Sequence, residues 1–415
     1  MNKIFIYLGL LLSLFSQNVV AQHESDTIKK TKKIISDENY DTSMLPFYSY
    51  GKGLGMTSPD SLYQVNIRFR MQNRATFYAN DGEKKTLDGQ IRRLRLRLDG
   101  YVGSPKFQYS LQLSFAPEDV GEVQHGKNIN IIRDAMINYT PNSNWSIGFG
   151  QTKLPGNRQR FNSSGALQLT DRSINNSEFN IDRDFGAQVQ YNKRSGDEFS
   201  YTLRGAVSTG EGRNWTNFEG SGLAYTGKAE IFPLGAFKND GSYFEGDIKR
   251  ESKPKVMLSA VYSYNADAKR TQGQRGDLLF ASRDIQSLFF DFMFKYNGWA
   301  FQTAYMNRSA KDLITVNPEN ENEVKYVRAG QGLDFQGSYI FPNNYELIGR
   351  FSTLKMDKEI EQYMPKINQF TLGLTKYIWE HAFKLQAEVS YENKKYFDNR
   401  NKDNWYARLQ IEIGI

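Results

Sequence analysis

The sequence predicts an all-β protein, a transmembrane antiparallel β-barrel of about 16 strands in an outer membrane. Three observations carry this reading. After the first 21 residues the 415-residue chain holds no apolar run of about 18 residues, so helical membrane spans are excluded. From residue 61 onward, apolar and polar side chains alternate strictly, the period of strands with two different faces. The connectors between these segments alternate between short and long, the layout of bacterial barrels.

Composition agrees. Mean hydropathy is −0.63, yet 14% of residues are aromatic, with 25 Tyr, 28 Phe, 34 Gly and only 11 Pro. A polar chain rich in Tyr, Phe and Gly suits strands with one apolar and one wet face. The chain has no Cys, which excludes disulfides, a lipid-anchored Cys and thiolate metal sites. Its formal charge of +7 is a mild bias on this length and does not argue for nucleic acid.

Residues 1–21 read as an export signal. Lys3 supplies the positive start, Ile4 to Phe15 the apolar core, and Val19 and Ala21 the small positions before cleavage. That core is too short to serve comfortably as a membrane anchor. Residues 22–60 read as a flexible periplasmic segment, because His23–Asp41 mixes charges, including Lys29, Lys30, Lys32 and Lys33, with few large apolar residues. The run Gly51-Lys52-Gly53-Leu54-Gly55 lacks the Gly-Lys-Ser/Thr ending of a phosphate loop. Residues 61–415 then form the barrel domain.

In the first strand Tyr63, Val65, Ile67, Phe69 and Met71 take one face, while Asn66, Arg68, Arg70, Gln72 and Arg74 take the other. In the second, Leu94, Leu96 and Leu98 oppose Arg93, Arg95, Arg97 and Asp99. The third sets Phe107, Tyr109, Leu111 and Leu113 against Gln108, Ser110 and Gln112. The last sets Trp405, Leu409, Ile411 and Ile413 against Tyr406, Arg408, Gln410 and Glu412. Sixteen segments begin near Leu62, Ile91, Lys106, Asn130, Trp145, Asp184, Phe199, Leu223, Lys255, Gln286, Trp299, Gly330, Tyr345, Asn368, Ala382 and Trp405, the fourth and twelfth being weak. Short turns fall at 103–105, 141–144, 297–298, 342–344 and 379–381. Long loops fall at 116–129, 152–183, 210–222, 265–285, 309–329, 355–367 and 393–404. The stretch 234–254 should be a short turn and is long. Lipid offers no partner to backbone polar groups, so a sheet in a membrane must close on itself. Tyr139, Trp145, Trp299, Tyr345, Tyr377, Tyr391 and Trp405 sit at strand ends and are expected to form interfacial girdles.

The apolar faces must meet lipid, so the arginines point inward. Turning one outward near the bilayer midplane would cost roughly 2–4 kcal/mol. Two neighbouring strands thus offer six guanidinium groups to the lumen: Arg68, Arg70, Arg74, Arg93, Arg95 and Arg97. Guanidinium forks bind phosphate and carboxylate, and rings of Arg or Lys are how pores favour anions. The alternative is a buried ion-pair network with partners such as Asp99 and Asp134. Asp291, Glu346 and Glu388 also face inward on this register, so the lumen is mixed. Catalysis has little support. His23, His125 and His381 stand apart from any Ser or Cys nucleophile, and no HExxH or EF-hand spacing occurs. No cofactor and no metal are expected.

Several motifs resemble one family. They are Gly51-Lys52-Gly53-Leu54, Arg70-Met71-Gln72-Asn73-Arg74, Arg92 to Arg97 before Gly100, Gly150-Gln151-Thr152-Lys153-Leu154-Pro155, Arg183-Asp184-Phe185-Gly186, Pro233-Leu234-Gly235, Glu245-Gly246-Asp247 and Lys253-Pro254-Lys255. In that order the chain resembles the phosphate-selective porin O and P family, in its Bacteroidetes-type branch. The resemblance implies an outer-membrane porin, a 16-stranded barrel, a homotrimer and passive conduction of small anionic solutes such as phosphate. It also implies that the loop from Thr152 to Asp182, with Lys153, Arg158, Arg160 and Arg172, folds into the pore rather than lying outside the cell. Two departures stand out. Pro155-Gly156 replaces the family's usual Pro-Phe, and the chain ends in Ile415 rather than an aromatic. Outer-membrane lipid and lipopolysaccharide would cover the outside. Two other readings remain: a general or differently selective channel, and a plugged structural or adhesive surface barrel.

Overall fold

Alternation does become strand. The structure, a computed structural model, describes residues 47–49, 53–120, 131–214 and 222–415. The export signal, most of the leader and His125 lie outside them. In chain order the strands are β1 (Phe47–Ser49), β2 (Gly53–Thr57), β3 (Tyr63–Asn80), β4 (Thr86–Val102), β5 (Ser104–Ser114), β6 (Ile132–Tyr139) and β7 (Trp145–Lys153). Next come β8 (Arg183–Lys193), β9 (Ser200–Ser208), β10 (Ala224–Phe232), β11 (Lys255–Arg270), β12 (Leu278–Tyr296) and β13 (Trp299–Ala310). The hairpin β14 (Ile314–Asn317) and β15 (Asn320–Tyr326) follows, then β16 (Gly330–Ile340), β17 (Tyr345–Met356), β18 (Lys366–Trp379), β19 (Phe383–Lys395) and β20 (Asn401–Gly414).

The barrel is β3 to β13 plus β16 to β20, sixteen strands, each antiparallel to its neighbours. It closes where β20 pairs with β3, from Asn404 opposite Asn80 to Gly414 opposite Arg70. Closure leaves no lipid-exposed edge, as hydrocarbon demands. Below Arg70 the edge of β3 would be bare. There β2 pairs with it, Leu54 opposite Ile67 and Thr57 opposite Gln64. The leader expected up to residue 60 is therefore shorter than the alternation suggested. Its Gly-rich end is recruited as an edge cover.

The expected loops shrink in the same way. The segments 265–285 and 393–404 are largely strand, leaving 271–277 and 396–400 as turns. The loop 309–329 contains the β14–β15 hairpin. The turn Asn297-Gly298 has φ of 47° and 89°, the left-handed pair that matches strand twist in a two-residue hairpin. In bacterial barrels short turns face the periplasm and long loops the outside.

The outer face carries the aromatic belt. Trp145 packs on Tyr191 with ring centroids 4.9 Å apart, Trp299 on Tyr339 at 4.7 Å, and Tyr391 on Trp405 at 4.7 Å. Tyr377 is the exception. It was expected in this belt, but it is buried in the lumen and its hydroxyl donates to Glu346 at 2.5 Å. A strand-end aromatic on the inward register goes to the lumen, whatever its interfacial preference.

Two inserts fill much of the interior. The segment between β7 and β8 runs inside the barrel. Its Leu154, Phe179 and Ile181 pack with inward Phe289 of β12, Met306 of β13 and Leu354 of β17. The connector 233–254 enters from the short-turn end, where Phe237 packs with Phe232, Met257 and Met293. Apolar residues at inward positions thus mark where inserts dock. Phe289→Ala should leave a cavity beneath the inserted loop and cost about 3–5 kcal/mol. The check is the urea unfolding midpoint of the folded barrel in lipid, which should fall. An unchanged midpoint would contradict this packing.

Candidate functional site

The register of β3 on β4 sets Arg68 opposite Arg97, Arg70 opposite Arg95, and Gln72 opposite Arg93. Like charges directly across a sheet repel. The wall can stand only if carboxylates enter it. A bulge adds to the problem: Gln72 pairs with Arg93 and Asn73 with Ile91, so Arg92 is an extra residue. It turns inward beside Arg93. Strict alternation placed Arg92 on the lipid face, and only the doubled Arg92-Arg93 hinted otherwise.

Three carboxylates take most of these arginines. Asp99, on β4 itself, takes Nε of Arg68 at 3.0 Å and Nε of Arg97 at 3.2 Å. Asp119, just after β5, takes Nη2 of Arg95 and Nη1 of Arg133, both at 2.7 Å. Asp171, in the inserted loop, gathers three arginines. Arg74 donates at 2.9 Å, Arg93 at 2.8 Å, and Arg92 through Nε and Nη2 at 2.9 and 3.1 Å. Burial alone would raise the Asp171 carboxyl. The guanidinium groups of Arg93, Arg92 and Arg74 overrule it and hold the group well below the usual carboxylate range. Asp134 pairs with Arg183 at 2.9 Å, not with the ladder of β3 and β4.

The rest of the loop is stitched across the lumen. Lys153 donates to the carbonyls of Phe161 and Asn162 at 2.8 and 2.7 Å. Arg158 reaches the far wall, donating to Gln302 at 2.6 Å and to the carbonyl of Phe244 at 2.8 Å. Thr170 donates to Glu388, Ser173 and Asn175 to Asp334, and Lys384 to the carbonyls of Gly165 and Leu167. Asp291, Glu346 and Glu388, read as inward, are all anchors for the inserts: Asp291 accepts from the Arg158 N–H and Glu346 from Gln168. Gly165 passes so close to the arginine wall that a Cβ there would sit 2.4 Å from Nη1 of Arg70.

A cavity of about 640 Å³ lies between this loop and the β3–β5 wall and reaches the short-turn end at Gly414. Arg68, Arg70, Arg95, Arg97, Lys153 and Arg183 face it, against Asp134 and Glu412. Among the ladder arginines Arg70 is the least neutralised. It donates to the Ser163 and Ser164 hydroxyls at 3.0 and 2.8 Å, and its nearest carboxylate, Glu412, lies 4.0 Å away. Arg97 is the most exposed of the ladder, its side chain 39% accessible. Five of the nine expected basic residues therefore share one space. Arg74 and Arg93 are clamped on Asp171 outside it, Arg160 is paired with Asp182 at 2.8 Å, and Arg158 is buried in the far anchor. Arg92, Asp119, Arg133, Asp171 and Arg183 complete the site without having been expected in it. The ring of His381 stacks on Phe244 at 5.2 Å, a packing role.

A closed sixteen-stranded barrel, belted with aromatics and narrowed by an inward loop beside a basic cavity, is an outer-membrane porin. A family model described as phosphate-selective porin O and P matches residues 65–411, and the chain belongs to that family. Among solved structures it is similar to the outer membrane channel DcaP of Acinetobacter baumannii, at 13% identity and a TM-score of 0.54, covering 87% of this chain and 99% of that one. OprB of Pseudomonas putida is similar at 10% identity and a TM-score of 0.53, covering 86% and 95%. OmpF of Salmonella typhi is similar at 12% identity and a TM-score of 0.52, covering 86% and 100%. These likenesses concern the fold. No curated protein matches the chain.

Removing the Asp171 charge should loosen the loop. Asp171→Asn leaves Arg74, Arg92 and Arg93 facing one another and should cost roughly 3–5 kcal/mol. Open-channel current noise should rise and protease should cut the loop faster; a quiet, resistant variant would contradict the clamp. The pH dependence follows from the sign of the shift. A carboxyl held low when docked stabilises docking above its ordinary range and loses that only as pH falls through the lowered value. Conductance from neutrality down to about pH 4 should therefore show no loop release, and an acid transition within that window would count against the clamp.

Proposed function

We propose that the protein is a passive outer-membrane channel that prefers small anionic solutes such as phosphate. The observation that carries this is the cavity facing Arg68, Arg70, Arg95, Arg97, Lys153 and Arg183, in which basic side chains outnumber acidic ones. Such a field raises the local concentration of anions and excludes cations. Arg70 and Arg97 touch the passing ion, because one has only hydroxyls within hydrogen-bond distance and the other is the most exposed of the ladder. Lys153 and Arg183 continue the path along β7 and β8. Arg74, Arg93, Arg158 and Arg160 shape the loop that bounds it. The chain works as a homotrimer, as the family resemblance implies, with outer-membrane lipid and lipopolysaccharide around it. It reaches that membrane through the export signal at residues 1–21, which leaves residues 22–46 as a periplasmic leader.

One observation favours a second reading, a general channel with weak selectivity. Asp99, Asp119 and Asp171 already neutralise much of the ladder. Planar-bilayer recordings separate the two. In Arg70→Gln/Arg97→Gln, chloride permeability relative to potassium should fall several-fold and phosphate should stop blocking chloride current. A correctly folded double variant with wild-type permeability and block would leave the general channel as the better account. Absence of any single-channel current in the wild type would instead favour a plugged barrel.

A further inference from the structure

On the outer face of the barrel, a row of positions runs across five strands near the long-loop end. The register gives Gln331 opposite Lys355, Lys366 opposite Lys395, and Lys395 opposite Asn401. Lys355 and Lys366 stand one step past the paired Leu354 and Ile367. Leu354, Ile367 and Glu392 point inward, so the three lysines point out, and all three are exposed. At about 4.8 Å per strand the lysines span about 10 Å. Three positive charges thus sit side by side with neutral Gln and Asn at either end. Among the described residues no carboxylate pairs with any of them. The nearby outward acids are already engaged: Asp403 accepts from Tyr391 and Asn393, and Asp357 from the Glu359 N–H.

Like charges at neighbouring positions on one sheet face repel. An arrangement of this kind calls for an anion from outside the chain. A second row says where that anion lies. Phe335, Phe351, Phe370, Tyr391 and Trp405 are successive partners across the same five strands. Phe351, Phe370 and Tyr391 are each four residues from one of the lysines, so the lysines stand about 13 Å further along the strands. The Phe351 and Phe370 rings lie 4.7 Å apart, and Leu372 below them is 61% exposed. Aromatic rows mark the edge of the hydrocarbon layer. With strands tilted by about 40°, the lysines rise to the level of lipid head groups.

We infer that Lys355, Lys366 and Lys395 form a docking site for the phosphate groups of an outer-leaflet lipid. The aromatic row receives the acyl chains and the ammonium row the charged head. This gives a surface of stated chemistry to the lipid contact proposed above, and it rests on that membrane placement.

The test is native mass spectrometry of the folded, full-length protein in detergent. The probes are a diphosphorylated diglucosamine lipid, its dephosphorylated counterpart and inorganic phosphate. The wild type should retain the diphosphorylated lipid selectively. Lys355→Gln/Lys366→Gln/Lys395→Gln should bind it roughly a hundredfold more weakly, from about fivefold for each charge removed near a lipid surface. Replacing all three with Arg should preserve binding. Heat-modifiable migration and insertion into vesicles confirm that each variant is folded. A barrel that failed to insert, wild type included, would sink the membrane placement itself. If the triple variant fails to fold, Lys366→Gln alone should show about a fivefold loss. Undiminished binding in a folded variant, equal retention of the dephosphorylated lipid, or displacement of the lipid by inorganic phosphate would each overturn the site.

Discussion

Hydrocarbon accepts neither charge nor unpaired backbone, and nearly every feature of this barrel follows from that refusal. The strands must close, so the sheet runs full circle from β3 to β20. Their arginines must leave the lipid side, so Arg68, Arg70, Arg93, Arg95 and Arg97 crowd into one sector of the lumen. Crowded guanidinium groups repel, so the sector needs carboxylates. The strands themselves supply Asp99. The remaining charge is met by Asp119 and by Asp171, and Asp171 can reach the wall only if its loop folds inward. The narrowing of the pore is in this sense a consequence of the basic wall.

The other side of the lumen shows the same logic with apolar surface. Phe289, Met306 and Leu354 are large inward residues that water would wet poorly. They are covered by Leu154, Phe179 and Ile181. Loop backbone groups that lose water there find Asp291, Lys384 and Glu388. Polar anchors fix position while apolar contacts supply driving force. The cavity that survives is therefore off-centre, against β3–β5, and its charge is what the clamps leave over.

Much of this was legible in the sequence because strand alternation is a local signal. The starts of the sixteen segments match the strands within a few residues, apart from the second, tenth and last, where the observed strand begins earlier. The inward sense of the β3 and β4 arginines follows directly from Leu94, Leu96 and Leu98. What alternation cannot carry is a change of phase or a distant contact. The bulge that turns Arg92 inward is a phase change. The pairing of Asp171 with Arg74, Arg92 and Arg93 spans the barrel, and no local pattern encodes it. Tyr377 lies at a strand end, but its register points inward, and register decides the face. The run Leu288-Phe289-Phe290-Asp291-Phe292-Met293 did carry a signal: apolar residues on both faces mean that both faces are covered.

The central claim is that the residual charge of the passage is positive after the loop has docked. The most direct measurement is the zero-current potential of the wild-type channel across a potassium chloride gradient. The account predicts the sign set by chloride as the more permeant ion, with the potential shrinking as salt rises and screens the wall. A potential of potassium-selective sign would contradict it, because the clamps would then have left the passage with no net positive field.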